Sequence, residues 1–379
     1  MKKRYLSVAL VWMFLFALLT GCGGAPAGNS ASPAPSAPQQ TPQQTPAAPA
    51  EPAAPTTREF TDSTGRTVTV PAEIRRIAIS GPLSQVYILP LAGDMLVGTS
   101  IALPADAAKY LPAEIMELPE IGQLYGGKGE MDLEALLLAA PEVVIDIGEA
   151  KDSVAADLDA LTAQTGIPFL HIDATVLTAP EAYRTLGDLL GRQEKAEELA
   201  LWCEETYART EAMMAKVDAA GARKTLLYCL GDAGVNVIAE GSFHAETINM
   251  LSKNLAVLED VVSKGSGNEV DLEQILLWDP DVLIFAPDSC YESIAGAAQW
   301  QSLSAVAAGR FYKTPEGPYG WLSSPPAVQR YLGMLWLGDL LYPEYTEYDL
   351  QEEVTEYYRL FYGCELTDAM YAALTENAL

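Results

Sequence analysis

From about residue 58 the chain alternates short apolar runs with segments whose apolar residues fall three or four apart. "REFTD" and "RTVTVP" alternate in polarity around a Thr-Gly turn and predict a β-hairpin. "RRIAIS" reads as a short buried strand ending at Gly81, "PLSQVYILPLAG" as a helix and "MLVGTS" as another strand. "EVVIDI" and "IPFLHID" are apolar strands separated by the helical "KDSVAADLDALTAQTG". Continuously apolar strands with helices between them predict a parallel sheet covered on both faces. From Pro180 the pattern changes. "PEAYRTLGDLLG" is one helix, and "RQEKAEELALWCEETYARTEAMMAKVDAAG" runs on without a breaker, which is long for a globular helix. Alternation then resumes with the strands "KTLLYCLG" and "VNVIAEG", the helix "SFHAETINMLS", the strands in "DVLIFA" and "AVAAGRFYKTP", and the helix "SPPAVQRYLGMLWLGDLLYPE".

One pattern occurs twice. Residues 132–146 read "DLEALLLAAPEVVID" and residues 271–285 read "DLEQILLWDPDVLIF", an offset of 139 positions (271 − 132). Each copy opens on a predicted Asp N-cap, carries an apolar stripe, stops at Pro141 or Pro280 and continues as an apolar strand. Helix-Pro-strand is a common α/β unit. The shared Asp-Leu-Glu and the long helix lying between the copies predict something more specific. The expected fold is α/β, with two Rossmann-like lobes, parallel central sheets, one long helix joining them and a ligand cleft between them. The expected lobes span 58–179 and 223–345, with linking helices over 180–222. Residues 346–379 form a helical extension of one or two amphipathic helices.

The first 57 residues differ in kind. Lys2, Lys3 and Arg4 precede an apolar run from Leu6 to Leu19, which ends in "LLTGCGG". A basic head and a run of this length predict a signal peptide over 1–21. The small residue before Cys22 fits a lipobox, with cleavage before Cys22 and lipid on its thiol. An ordinary signal peptide with an incidental cysteine is the other reading. Residues 25–57 hold Pro, Ala, Gln, Ser and Thr with almost no large apolar side chains, so 22–57 is expected to be a lipidated cysteine followed by a disordered tether.

Lys and Arg number 23 against 51 Asp and Glu, a net charge of −28, which argues against nucleic-acid binding. The acidity suits a basic docking face or serves solubility. Beyond Cys22 the cysteines are Cys203, Cys229, Cys290 and Cys364, far apart and with no CxxC. Neither disulfides nor free thiols are favoured.

Candidate chemistry is sparse. "GQLYGGKG" (Gly122 to Gly129) approaches a P-loop, but Gly129 stands where a Ser or Thr would hold magnesium. It reads as a turn or as a cleft wall in which Tyr125 and Lys128 face a ligand. Of the two histidines, His171 lies in an apolar strand, and His244 opens a C-lobe helix from which it can reach the cleft. So few histidines predict no dedicated metal site. GxSxG and HExxH are absent, so an enzyme is not expected. "EGPYGWLSSPPAVQR" brings Tyr319, Trp321 and Arg330 together, as ligand pockets do, or else forms an aromatic core loop with a surface arginine. Gly81 and Glu149, with Lys151, follow N-lobe strands. Tyr291, with Asp232 and Asp288, follows C-lobe strands, and open α/β sheets bind ligands at such strand ends. Glu134 and Glu273 sit in the first turn of each repeat helix, off the apolar stripe, where a carboxylate also suits the helix dipole.

The residues over about 58–345 resemble the ABC-transporter solute-binding proteins for ferric siderophores, haem and cobalamin. The resemblance is carried by "TDSTGRTVTVPAEIRRIAI", by both Asp-Leu-Glu segments and by the lipobox. It implies two α/β lobes bridged by a helix, with small lobe motion. It also implies docking of Glu134 and Glu273 onto arginines of a membrane permease that works with a cytoplasmic ATPase. The expected function is extracytoplasmic capture of an iron-siderophore, haem or corrinoid by a monomeric, lipid-anchored protein with no permanently bound cofactor. The anchor would hold it on the outer face of the cytoplasmic membrane. Some relatives bind molybdate or tungstate, which keeps an oxyanion ligand open, with Arg330 and Lys128 in the leading roles. An exported enzyme or adhesion module on similar lobes is the alternative from another class.

Overall fold

The computed structural model describes residues 56–125 and 130–379. The proposed signal peptide, Cys22, most of the tether and Lys128 lie outside the described residues. The folded body opens with the antiparallel hairpin β1 (Thr57–Thr61) and β2 (Thr67–Pro71). Its turn is organised by Asp62, whose carboxylate accepts from Thr64 N and Oγ1 at 3.0 and 2.6 Å and pairs with Arg66 at 2.7 Å.

β3 (Ile77–Ile79), β4 (Val143–Gly148) and β5 (Phe169–Asp173) form a parallel sheet with β4 central and buried along its whole length. "MLVGTS" forms only isolated parallel bridges, Ile77 to Leu96 and Thr99 to Glu120, instead of a strand. A second sheet has the order β11-β10-β6-β7-β9, with β8 also paired to β6. Its strands are β6 (Thr225–Leu230), β7 (Asn236–Val237), β8 (Lys253–Asn254), β9 (Asn268–Glu269), β10 (Val282–Phe285) and β11 (Phe311–Lys313). β6, β8, β10 and β11 are parallel, and the short β7 runs antiparallel to both of its neighbours, β6 and β9.

The helix Gln193–Ala219 has 27 residues and lies in sequence between the two parallel sheets. At 1.5 Å rise per residue it is about 40 Å long. It buries Ala196, Leu199, Ala200, Cys203, Thr206, Thr210, Met213, Met214 and Val217, a stripe at three- and four-residue spacing. Cys203, Cys229, Cys290 and Cys364 are all unpaired.

Both repeat segments fold as helix, left-handed residue, strand. The helices are Leu133–Ala139 and Leu272–Trp278, and Ala140 and Asp279 follow with φ of 46° and 38°. Asp132 caps its helix, accepting from Glu134 N at 2.9 Å and Ala135 N at 3.0 Å. Asp271 departs from expectation: its side chain makes no cap bond, and its backbone carbonyl accepts from Gln274 N at 3.0 Å.

The segment after residue 345 is a belt of aromatic side chains. The helix Leu350–Tyr357 runs into a π-helical turn, Tyr358–Tyr362, ended by Gly363 at φ 63°, where a side chain would be strained. Tyr357 stacks on Phe361 at 4.2 Å and meets Trp202 of the long helix at 5.3 Å. Tyr358 lies edge-on to Tyr110 at 5.4 Å and donates to the Gly317 carbonyl. Farther on, Asn377 O accepts from Lys313 N of β11 and Ala378 O accepts from Trp336 Nε1, both at 2.8 Å. The extension therefore touches the first sheet's neighbours, the long helix and the second sheet's edge.

Candidate functional site

Parallel strands end with their carbonyls toward one side, and that is where open α/β sheets bind ligands. In the N-terminal sheet, Gly81 follows β3. A Cβ built on it would lie 3.9 Å from Tyr125 O, so the segment 122–125 passes directly over this strand end. Leu124 N donates to Ser80 O at 2.6 Å and Asp132 N to Ile121 O at 2.8 Å, which closes the glycine-rich loop. Gly122 is required there: its φ is +88°, and a Cβ would fall 2.3 Å from Glu130 O. Tyr125 donates to Asp157 at 3.1 Å, and Lys151 Nζ sits 3.7 Å over its ring. Gly81, Tyr125 and Lys151 thus form one wall.

Beneath this wall is a polar network that the sequence reading did not find. His171 Nδ1 lies 2.7 Å from Asp146, Ser80 donates to the same carboxylate, and Ser80 and Ser84 hydroxyls are 2.9 Å apart. Ser, His and Asp meet here, but the aspartate stands between the other two. The serine donates to the carboxylate and has no base to remove its proton, and His171 Nε2 is buried without a partner. The network ties the interiors of β4 and β5 to Ser80, the residue that follows β3.

Glu149, after β4, faces a second group. Desolvation raises its carboxyl pKa, and Glu246 and Asp173 add to this, while Lys151 and Arg330 act against it. Arg330, at the head of the helix Arg330–Leu341, is fully buried and paired with Glu246. It also donates to Phe243 O and Ala327 O, each at 3.2 Å, and stands 4.6 Å from the Phe243 ring. His244 joins this group. Its Nδ1 lies 3.3 Å from Ser323 O, and burial, with Arg330 nearby, lowers its pKa to about 4. The imidazole is therefore neutral at pH 7, and its Nε2 makes no hydrogen bond among the described residues.

A third group spans Asp106 and the ends of β10 and β11. Burial raises the carboxyl pKa of Glu316, and Asp288 and Asp106 raise it further.

Several predicted positions take other roles. Trp321 is enclosed, with Nε1 3.4 Å from Tyr358 Oη, and offers no face to a cleft. Tyr319 is buried too, and its hydroxyl accepts from Gln85 Nε2 at 2.7 Å. Arg330 is not a surface arginine: it is buried, Glu246 offsets its charge, and its Nη2 makes no hydrogen bond among the described residues. Tyr291 packs against Phe285 at 6.1 Å and Phe311 at 5.7 Å in an apolar cluster. The structure therefore brings together Gly81 with Tyr125, and Glu149 with His244 and Arg330. Asp288 was read from its place after β10, whereas Glu246, Asp173, Asp106 and Glu316 were missed because their partners are distant in sequence.

A groove of about 610 Å³ lies elsewhere, lined by Leu89, Leu96, Ile115, Phe361 and Tyr362 with Arg359, and none of the predicted site residues lines it. Among the described residues no group of three or more His, Cys, Asp or Glu is arranged to hold a metal ion. Glu134 and Glu273 are both exposed, one on each repeat helix.

Among curated proteins none matches the chain. Solved structures do. An ABC transporter solute-binding protein from Sulfurospirillum deleyianum is 28% identical, with 84% of this chain and 99% of that one covered at a TM-score of 0.77. A periplasmic solute-binding protein from Veillonella parvula is 26% identical over 85% of this chain and 98% of that one, at 0.69. The molybdate periplasmic binding protein of Haemophilus influenzae, at 18% identity, shares the fold over 82% of this chain and 99% of its own, at 0.66. Among the described residues no helix is long and apolar enough to cross a membrane. The family described as "Periplasmic binding protein" matches residues 97–318, more than half of the 379, and the chain belongs to that family of extracytoplasmic, solute-binding components of ABC transporters.

Proposed function

We propose that this protein captures a metal chelate of neutral or positive net charge, a ferric hydroxamate siderophore or a corrinoid, between its two sheets and delivers it to a permease. The carrying observation is the charge of the candidate cleft. Glu149 and Asp173 with Lys151 beside them, and Asp106, Asp288 and Glu316 with Lys313 beside them, each leave an excess of carboxylates, while the Glu246–Arg330 pair cancels itself. The buried Arg330 is already neutralised. An anion entering here works against these carboxylates at low local dielectric. That disfavours haem, whose propionates are anionic, and the molybdate or tungstate reading. His244 adds a neutral imidazole whose Nδ1 contact with Ser323 O leaves the Nε2 lone pair free for a metal centre or a ligand donor.

Glu134 and Glu273, exposed at matched positions, are the proposed docking pair on arginines of the permease. Lipid on Cys22 is the proposed anchor, and a monomer is the proposed working form. The experiment is a thermal-shift panel of ferric hydroxamate, ferric catecholate, cobalamin, haem, molybdate and tungstate, since a ligand that binds only the folded state raises the melting temperature. Shifts with hydroxamate or cobalamin alone are expected. A shift confined to molybdate or haem would overturn the charge argument.

A further inference from the structure

Each repeat helix leaves a second residue in the open besides its glutamate. Leu138 and Leu277 hold the same position in the two copies, 139 residues apart (277 − 138). They are 89% and 78% exposed, the two most exposed large apolar side chains among the described residues. Leu138 stands four residues after Glu134, and Leu277 four after Glu273. Carboxylate and leucine therefore share one face on each helix, one turn apart. Helical side chains lean toward the N-terminus, which brings each leucine over the turn that carries its glutamate.

The two helices also end alike. Ala140 and Asp279 are the only non-glycine residues at positive φ among the described residues, so each helix leaves its last turn by the same left-handed step. Different bonds hold the two steps: Arg76 Nε donates to Ala140 O at 3.0 Å, and Ser304 N and Oγ donate to the Asp279 carboxylate at 2.8 and 2.7 Å. The same outward geometry is thus built twice by unrelated contacts. One exposed leucine is ordinary on a protein surface. That the two most exposed occupy one repeat position, each beside an exposed acid, is not accounted for that way.

We propose that Leu138 and Leu277 are the paired apolar contacts of the docking face. Each seats in an apolar pocket beside a cation, on a membrane permease built of two equivalent halves. The proposal rests on the docking reading of Glu134 and Glu273 and deepens it. A solvent-exposed ion pair contributes little alone and weakens with salt. An apolar side chain packed beside it excludes water and strengthens it. The matched spacing sets the partner's chemistry as two cations, each flanked by an apolar recess, related by the symmetry of the partner.

The full-length protein tests this by titration onto the permease–ATPase complex that imports its solute, held in nanodiscs, at low and high salt. Leu138→Ser with Leu277→Ser is expected to weaken binding about ten-fold or more at both salt concentrations, with the wild-type salt dependence and melting temperature kept. Glu134→Gln with Glu273→Gln is expected to weaken binding and flatten its salt dependence. Leu201→Ser, on the long helix, is the control expected to change nothing. Unchanged affinity of the leucine pair, with loss in the glutamate pair, overturns the leucine proposal and leaves the docking reading standing. Unchanged affinity in both pairs overturns the docking reading and the leucine proposal together.

Discussion

Glu246 holds its carboxylate against the guanidinium of Arg330, with the arginine wholly buried and the glutamate side chain 29% exposed. This asymmetry predicts unequal costs. Glu246→Gln leaves a buried cation without its counter-charge and is expected to destabilise by about 3 kcal/mol. Arg330→Met leaves a carboxylate that reaches water and fills the space with apolar volume, so its loss is expected to be smaller. Urea unfolding of the two variants reads the order directly, and a costlier Arg330→Met would show that the pair's value lies in arginine packing.

His244 gives a pH dependence with a definite sign. In the unfolded chain a histidine takes its proton as pH falls through about 6.5, whereas in the folded protein it does so only near about 4. Between these values the unfolded state binds more protons, so stability falls as pH drops from about 6.5 to 4 and this contribution then levels off. Its full size is on the order of 3 kcal/mol. Denaturation of wild type and His244→Gln at pH 7 and pH 4.5 checks this, and the variant is expected to lose less stability between them.

Reversing both charges of the proposed docking pair, Glu134→Lys with Glu273→Lys, is expected to leave solute binding and melting temperature unchanged and to abolish uptake. Both side chains are exposed, so no core contact is disturbed. Radiolabelled solute uptake in cells carrying the permease measures it, and unchanged uptake would remove the docking role.

The aromatic belt predicts a large effect far from any ligand. Tyr357 is fully buried, stacked on Phe361 at 4.2 Å and packed against Trp202. Tyr357→Ala is expected to cost about 3–5 kcal/mol, visible as a fall in melting temperature, whereas Glu352→Ala on the outer face of the same helix is expected to stay near wild type.

Local pattern carried most of the architecture. The buried strands, the unbroken long helix and the two copies of the repeat are written in apolar spacing at short range, and all were legible. What failed had a distant cause. "MLVGTS" looks like a strand, but at Gly98 a Cβ would sit 2.2 Å from the Ile121 side chain, and only bridges form there. Arg330 reads as a surface charge until Glu246, 84 residues away, is beside it. Tyr319 and Trp321 read equally as pocket aromatics or as an aromatic core loop, and what buries them is Tyr358 and Tyr362, from an extension whose role the sequence did not disclose. Asp271 has the right residue type for a cap and makes no cap bond. Charge, too, was legible as a total and not as a place. The net acidity is plain in the composition, while which carboxylates come to interact with one another depends on the fold.

The belt also decides when this molecule becomes itself. Cys364 Sγ reaches Lys109 O across 255 residues of chain, and Tyr358 closes over Tyr110. A chain emerging from the N-terminal side therefore holds every strand of its first sheet long before it holds the side chains that cover that sheet's neighbours. Contacts of such sequence separation form late and slowly. The cover over the first sheet's neighbours is thus supplied by side chains about 250 residues further along the chain, so the two ends of the folded body close over one another.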